Sequence, residues 1–230
     1  MIVELANDAA RRWVKTAADL RRVVATSIRE SEAKLQNGSQ AQLLWNTQPL
    51  RPKPENALSD WLKGHLEEAL RGRGIISGRE VQIRPGPGHH MGEASDLLIT
   101  AVASERVEGA AMVEVVVEVK GCWHREMETA LKTQLADRYL EAGQRDQGIY
   151  VVGWYEADGW DDSDKANRSR CRKYSITDLV ALLEKQAREV SVVPTFRSMP
   201  SCSTAPCRRR DALVLPVAAD LRRRWWRDCS

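Results

Sequence analysis

The stretch 112-MVEVVVEVKG-121 constrains this chain more than any other. A valine run of that length is a buried strand, and buried strands rarely hold charge unless it is paired or functional. Side chains alternate faces along a strand. Val113, Val115, Val117 and Val119 therefore point one way, and Glu114, Val116, Glu118 and Lys120 the other. Glu118 and Lys120 share a face next to Gly121, which ends the strand. A salt-bridged pair facing water is the plain explanation, but valines on both faces imply burial instead.

The surrounding pattern predicts a mixed α/β protein. Residues 8–36 read as a helix on the loose repeat of Trp13, Leu20, Val23, Val24 and Ile28, and a break follows at 36-QNGSQ-40. A second helix is expected within 51–74, with Pro54 in its first turn and Gly72 and Gly74 at its stop. Its apolar stripe, Leu58, Leu62, Leu66 and Ala69, is headed by Glu55, which a helix dipole alone would explain. Strands are expected at 80–85, 95–102, 112–121 and 148–155, and helices at 125–143 and 175–190, the last capped by Ser175 or Thr177. Short connections make the first three strands an antiparallel meander. The stretch 156–174 reads as a polar loop. Trp160 within it and Trp154 just before it anchor an acidic run of Asp161, Asp162 and Asp164, and Arg168, Arg170, Arg172 and Lys173 form a solvated basic cluster.

These elements divide the chain into a helical N-terminal segment or linker (1–48), a central domain (49–193) and a tail (194–230). The tail is rich in Arg, Cys, Pro and Trp and shows no periodicity, so it reads as irregular, basic and poorly ordered. Its other reading is an arm in which Arg222 to Arg224 and Trp225 and Trp226 touch nucleic acid.

A net charge of +3 neither demands nor excludes a nucleic-acid partner. No stretch has the length of a transmembrane helix, and the start MIVELANDAARRW is too charged for a signal peptide, so a cytoplasmic protein with no membrane partner is expected. Cys122, Cys171, Cys202, Cys207 and Cys229 form no CxxC pair and have no histidines at zinc-ligand spacing, so they read as free thiols. His89 and His90 fall in a glycine-rich loop, and His124 stands alone. No GxxxxGK[ST] is present.

A second acid sharpens the question raised by the valine strand. Asp96 opens the preceding strand, and hairpin pairing across residues 103–111 can set it beside Glu118. Adjacent carboxylates repel unless a cation separates them, and a divalent metal with oxygen ligands is the simplest one. Glu55 could reach the same point.

The order helix with Glu, strand, strand with Asp, strand with ExK, helix, strand resembles the PD-(D/E)XK nuclease superfamily over roughly residues 50–155. Glu55, Asp96, Glu118 and Lys120 are the matching residues, and Ser95 stands where the family name has Pro. On the following helix, 134-QLADRY-139 is similar to the Gln-and-Tyr pattern of RecB-like nucleases, one residue longer, which adds Gln134 and Tyr139.

The resemblance implies a restriction-endonuclease-like αβββαβ core, a four-stranded mixed sheet flanked by helices, after an N-terminal helical segment. It implies Mg²⁺, replaceable by Mn²⁺, held by Asp96, Glu118, the Val119 carbonyl and Glu55. Glu55 would orient the attacking water, and Lys120 would position it or stabilise the transition state. The implied reaction is phosphodiester hydrolysis, in DNA first of all. The implied partners are a second copy, a homodimer that cuts both strands, or a separate targeting protein or domain. The module also resembles nuclease-like pieces of larger bacterial proteins, some linked to defence or DNA processing. The competing expectation is a catalytically silent relative that binds nucleic acid or a partner protein.

Overall fold

A computed structural model describes residues 14–37, 39–84, 93–102, 112–141, 145–191 and 209–217. Helix α1 (Ala17–Asn37) starts at a reciprocal cap: Asp19 N–H donates to Thr16 Oγ1 (3.1 Å) and Thr16 N–H to Asp19 Oδ2 (3.0 Å). Leu20, Val24, Ile28 and Leu35 are its buried stripe. A 3-10 turn (Ser39–Leu44) leads into a small hairpin, β1 (Trp45–Thr47) with β2 (Leu50–Pro52).

Helix α2 (Glu55–Ala69) follows, with Pro54 one residue before the first helical position rather than inside the first turn. Gly72 (φ 75°) and Gly74 (φ 68°) take left-handed backbone after the helix, a conformation glycine adopts without penalty.

The main sheet has five strands: β3 (Ile75–Arg84), β4 (Glu93–Val102), β5 (Met112–Gly121), β6 (Gln147–Tyr155) and β7 (Arg209–Val217), in that order across the sheet. The first three pair antiparallel, as the short connections predicted, and β6 and β7 add on parallel. A parallel neighbour needs a crossover. Residues 122–146 supply it, through a stretch of turns and then a π-helix (Leu131–Glu141) where one continuous helix was expected.

Two more expectations are corrected. The sheet has a fifth strand, and residues 209–217 are not irregular. Residues 209–217 pair along the whole of β6, the apolar run 212-ALVLPV-217 with Tyr150–Tyr155, although Arg-rich sequence surrounds it. The rest of the tail lies outside the described residues. The stretch 156–174 contains 3-10 turns and a short helix α3 (Lys165–Cys171). Helix α4 (Ile176–Ser191) is capped by Ser175, whose Oγ accepts from Asp178 N–H (3.1 Å).

The two faces of the sheet can be told apart by its glycines. A Cβ on Gly153, which pairs with Gly121 on the Val119 face, would stand 2.5 Å from Leu58 Cδ2, so α2 covers that face. A Cβ on Gly148 would stand 2.9 Å from Leu135, so the π-helix covers the face that carries Glu118 and Lys120. Val115, Val116, Val117 and Val119 are fully buried between these layers. Each contributes about 1.5 kcal/mol or more.

Gly153→Ala should therefore lower unfolding free energy by about 1–3 kcal/mol, because buried Leu58 and the Tyr155 ring, 3.0 Å away, leave no room. Urea titration checks this; an unchanged midpoint would mean that α2 packs elsewhere. No described helix is long and apolar enough to cross a membrane.

Candidate active site

Three elements bring four charged side chains to the C-terminal end of β5. Glu118 and Lys120 come from β5 itself. The register Leu97↔Val117, carried one step on, sets Asp96 of β4 opposite Glu118. Its Oδ2 accepts the Val119 N–H at 2.8 Å. Glu55, the first residue of α2, reaches the strand end from the opposite layer, and its Oε2 accepts the Gly121 N–H at 2.8 Å. Heading the apolar stripe is what aims this acid at the sheet, since Leu58 behind it packs on Gly153.

Lys120 stands at the centre. Its Nζ donates to Glu118 Oε1 (2.5 Å), to the Val119 carbonyl (3.3 Å) and to Glu55 Oε1 (3.4 Å), and lies 4.0 Å from Asp96 Oδ2. The Lys120 and Glu118 side chains are 8% and 2% exposed, so this is an interior cluster rather than a surface salt bridge. With every group ionised, three carboxylates against one ammonium leave a formal charge of −2.

The strain of that imbalance falls on Glu118. Burial first, then the Asp96 charge, push its pKa up to about 8 against the pull of Lys120. Burial alone would favour neutral Lys120, but Glu118, Glu55 and Asp96 outweigh it and hold the ammonium above the usual lysine range. Glu118 Oε2 is buried and has no hydrogen-bond partner among the described residues.

Two tyrosines line the same face. Tyr150 pairs with Glu118 in register and donates its O–H to the Met127 carbonyl at 2.7 Å. Burial, then Glu118, Glu55 and Asp96, hold its phenol well above the usual value. Tyr139 of the π-helix is 5% exposed and is pushed up to about 12 by burial, then by Glu118 and Asp96. Each therefore stays a neutral phenol beside the acids. Sequence reasoning did not single out Tyr150; its register opposite Glu118 was the available signal.

Gln134 is not in the cluster: its Nε2 donates to Glu126 Oε2 at 2.8 Å. His124 is engaged locally, its Nδ1 accepting from Glu126 N–H (3.2 Å). His89 and His90 lie outside the described residues. Each member of the basic cluster bonds a neighbour: Arg168 the Trp160 carbonyl, Arg170 Asn167, Arg172 Asp158 and Lys173 Glu128.

Among the described residues no three His, Cys, Asp or Glu side chains stand in metal-ligating geometry, because the carboxylates gather around the Lys120 ammonium. The chain matches no protein-family model, no curated protein and no solved structure.

Proposed function

We propose that this chain is a metal-dependent phosphodiesterase that cleaves nucleic acid, DNA in the first instance, on the PD-(D/E)XK plan of a restriction-endonuclease-like core. One observation carries the reading: Glu55, Asp96, Glu118 and Lys120, spread over 66 residues, converge from three elements on one strand end. The donor chemistry also suits a hard divalent cation. The site carries excess negative charge, and Glu118 Oε2 is a buried oxygen without a hydrogen-bond partner among the described residues. Asp96, Glu118 and the Val119 carbonyl would hold Mg²⁺ or Mn²⁺, with Glu55 at the margin. Once bound, the ion would neutralise phosphate charge and acidify water.

The chain's own residues divide the remaining work. Lys120 now hydrogen-bonds Glu118; were Glu118 to serve as a ligand, the ammonium would be free to turn to a phosphate oxygen, a role suited to a compact point charge. Glu55, anchored by the Gly121 N–H, accepts a hydrogen bond from the attacking water and fixes its direction. Tyr139 and Tyr150 close the inner wall as neutral groups and exclude bulk water, which strengthens every charge interaction inside.

One observation favours a second reading, a silent module that binds nucleic acid or a partner protein. Lys120 already occupies the point the carboxylates share, so the cluster could be purely structural. Titration with Mn²⁺, followed by the loss of its free-ion electron paramagnetic resonance signal, separates the two. The phosphodiesterase reading expects saturable binding that Asp96→Asn and Glu118→Gln each weaken at least about tenfold. Binding that is absent, or unaffected by both substitutions, would favour the silent module.

A further inference from the structure

Cys122 and Cys171 are 49 residues apart in sequence, yet their Sγ atoms face each other at 2.8 Å in the interior. Both are free thiols, 2% and 4% exposed. Their surroundings hold them in place. Cys122 directly follows Gly121, its N–H donates to the Gly153 carbonyl (2.9 Å), and its Sγ accepts the Tyr155 N–H (3.3 Å). Cys171 is the last residue of α3. The Trp123, Tyr155 and Trp160 rings stack edge to face alongside.

From this geometry we infer that Cys122 and Cys171 form a redox-active dithiol whose disulfide staples the site-bearing end of β5 to α3. A disulfide bond is about 2.0 Å long, so the sulfurs need to close by less than about 1 Å. The oxidant is a small-molecule disulfide of the glutathione class. One cysteine thiolate attacks it, forming a mixed disulfide and expelling one thiolate. The second cysteine thiolate then displaces the other. The S–S bond of the oxidant breaks and the Cys122–Cys171 bond forms. The protein loses two electrons and two protons, and the oxidant leaves as two thiols.

Burial sets the rate. Exchange passes through opening of α3, a seven-residue helix with Arg170 and Arg172 exposed on either side of the thiol. Its contact with the Cys122 thiol first, and then burial, raise the Cys171 thiol pKa, so exchange is slow and the closed disulfide is long-lived. The bond sits one residue from the Gly121 N–H that holds Glu55, and so ties the floor of the site to the surface layer.

The test equilibrates the full chain in reduced and oxidised glutathione buffers, then quenches, unfolds and alkylates it. A variant with Cys202, Cys207 and Cys229 changed to Ser serves alongside, so that only the inner pair can react. The expected result is a mass-mapped Cys122–Cys171 peptide link, two fewer titratable thiols, and a Tm raised by about 10 °C that dithiothreitol reverses. Cys171→Ser should lose both the link and the shift; should Cys122→Ser fold poorly, the Cys171 variant alone decides. Full alkylation of Cys122 and Cys171 after oxidation would overturn the inference. So would a link from either of them to a tail cysteine, or a link with no rise in Tm.

Discussion

Lys120→Ala should slow nucleic-acid cleavage at least about a hundredfold, the loss typical of removing one group that stabilises developing charge. It should also cost stability, because it leaves Glu55, Asp96 and Glu118 facing one another with no cation between them. Breaking a buried pair from one side costs about 3–5 kcal/mol. Here Glu118 already keeps its proton up to about pH 8, which holds the loss toward the lower figure. The two effects separate in Glu118→Gln/Lys120→Met, which removes both buried charges at nearly constant volume. Replacing a whole pair is often neutral or stabilising, so the double variant should recover most of the unfolding free energy lost in Lys120→Ala. It should remain inactive. Single-turnover cleavage beside urea titration checks both halves. A double variant that recovers folding and also cuts would remove Lys120 and Glu118 from the chemistry.

Stability should fall as pH rises from about 6.5 to 8, opposite to the trend set by ordinary paired carboxylates. An ordinary glutamate releases its proton near 4.5, whereas folded Glu118 keeps its proton up to about 8. Between those values the folded chain binds a proton that the unfolded chain has lost, so the slope is negative, about 1.4 kcal/mol per pH unit. Below 4.5 both states are protonated and above 8 neither is, so the slope vanishes outside the window.

His65 works the other way. Burial lowers its pKa below 6.5, so it adds stability as pH climbs to that value and nothing beyond. The Glu118 contribution therefore stands clear from about pH 6.5 to 8. Glu118→Gln, neutral at every pH, should flatten the slope and stabilise the protein at pH 8 by a few kcal/mol. Urea titrations at pH 6.5, 7.25 and 8 measure it. Parallel, flat curves for the two proteins would mean that Glu118 is ionised throughout.

The centre of the site was legible in the sequence because strand periodicity is strict. Alternation alone put Glu118 and Lys120 on one face, a hairpin register put Asp96 opposite, and an acid heading the α2 stripe pointed at the same spot. What occupies the middle was not legible. Two adjacent acids implied a cation, and the one found there is the protein's own Lys120 ammonium, which a flexible four-carbon stem can deliver to either side of its strand.

The π-helix was hidden for a related reason. The buried positions Leu131, Leu135, Ala136, Tyr139 and Leu140 suit an α-helix equally well, and only the hydrogen-bond pairing tells them apart. Strand β7 was masked by the composition around it: Arg and Cys on either side, and Pro before it, drowned a short apolar run whose strand character depends on pairing with β6. The Cys122–Cys171 pair shows the general limit. Cysteines 49 residues apart carry no spacing signal, and only the fold brings them together.

The most direct test of the phosphodiesterase reading is a cleavage assay on single-stranded, duplex and supercoiled DNA and on RNA. Wild-type protein is incubated with Mg²⁺, Mn²⁺ or EDTA, beside Glu118→Gln/Lys120→Met. The expected result is cutting with either metal that EDTA abolishes and the double variant lacks, with DNA preferred. Folded wild-type protein that cuts none of these substrates with either metal, or cuts them equally well in EDTA, would contradict it.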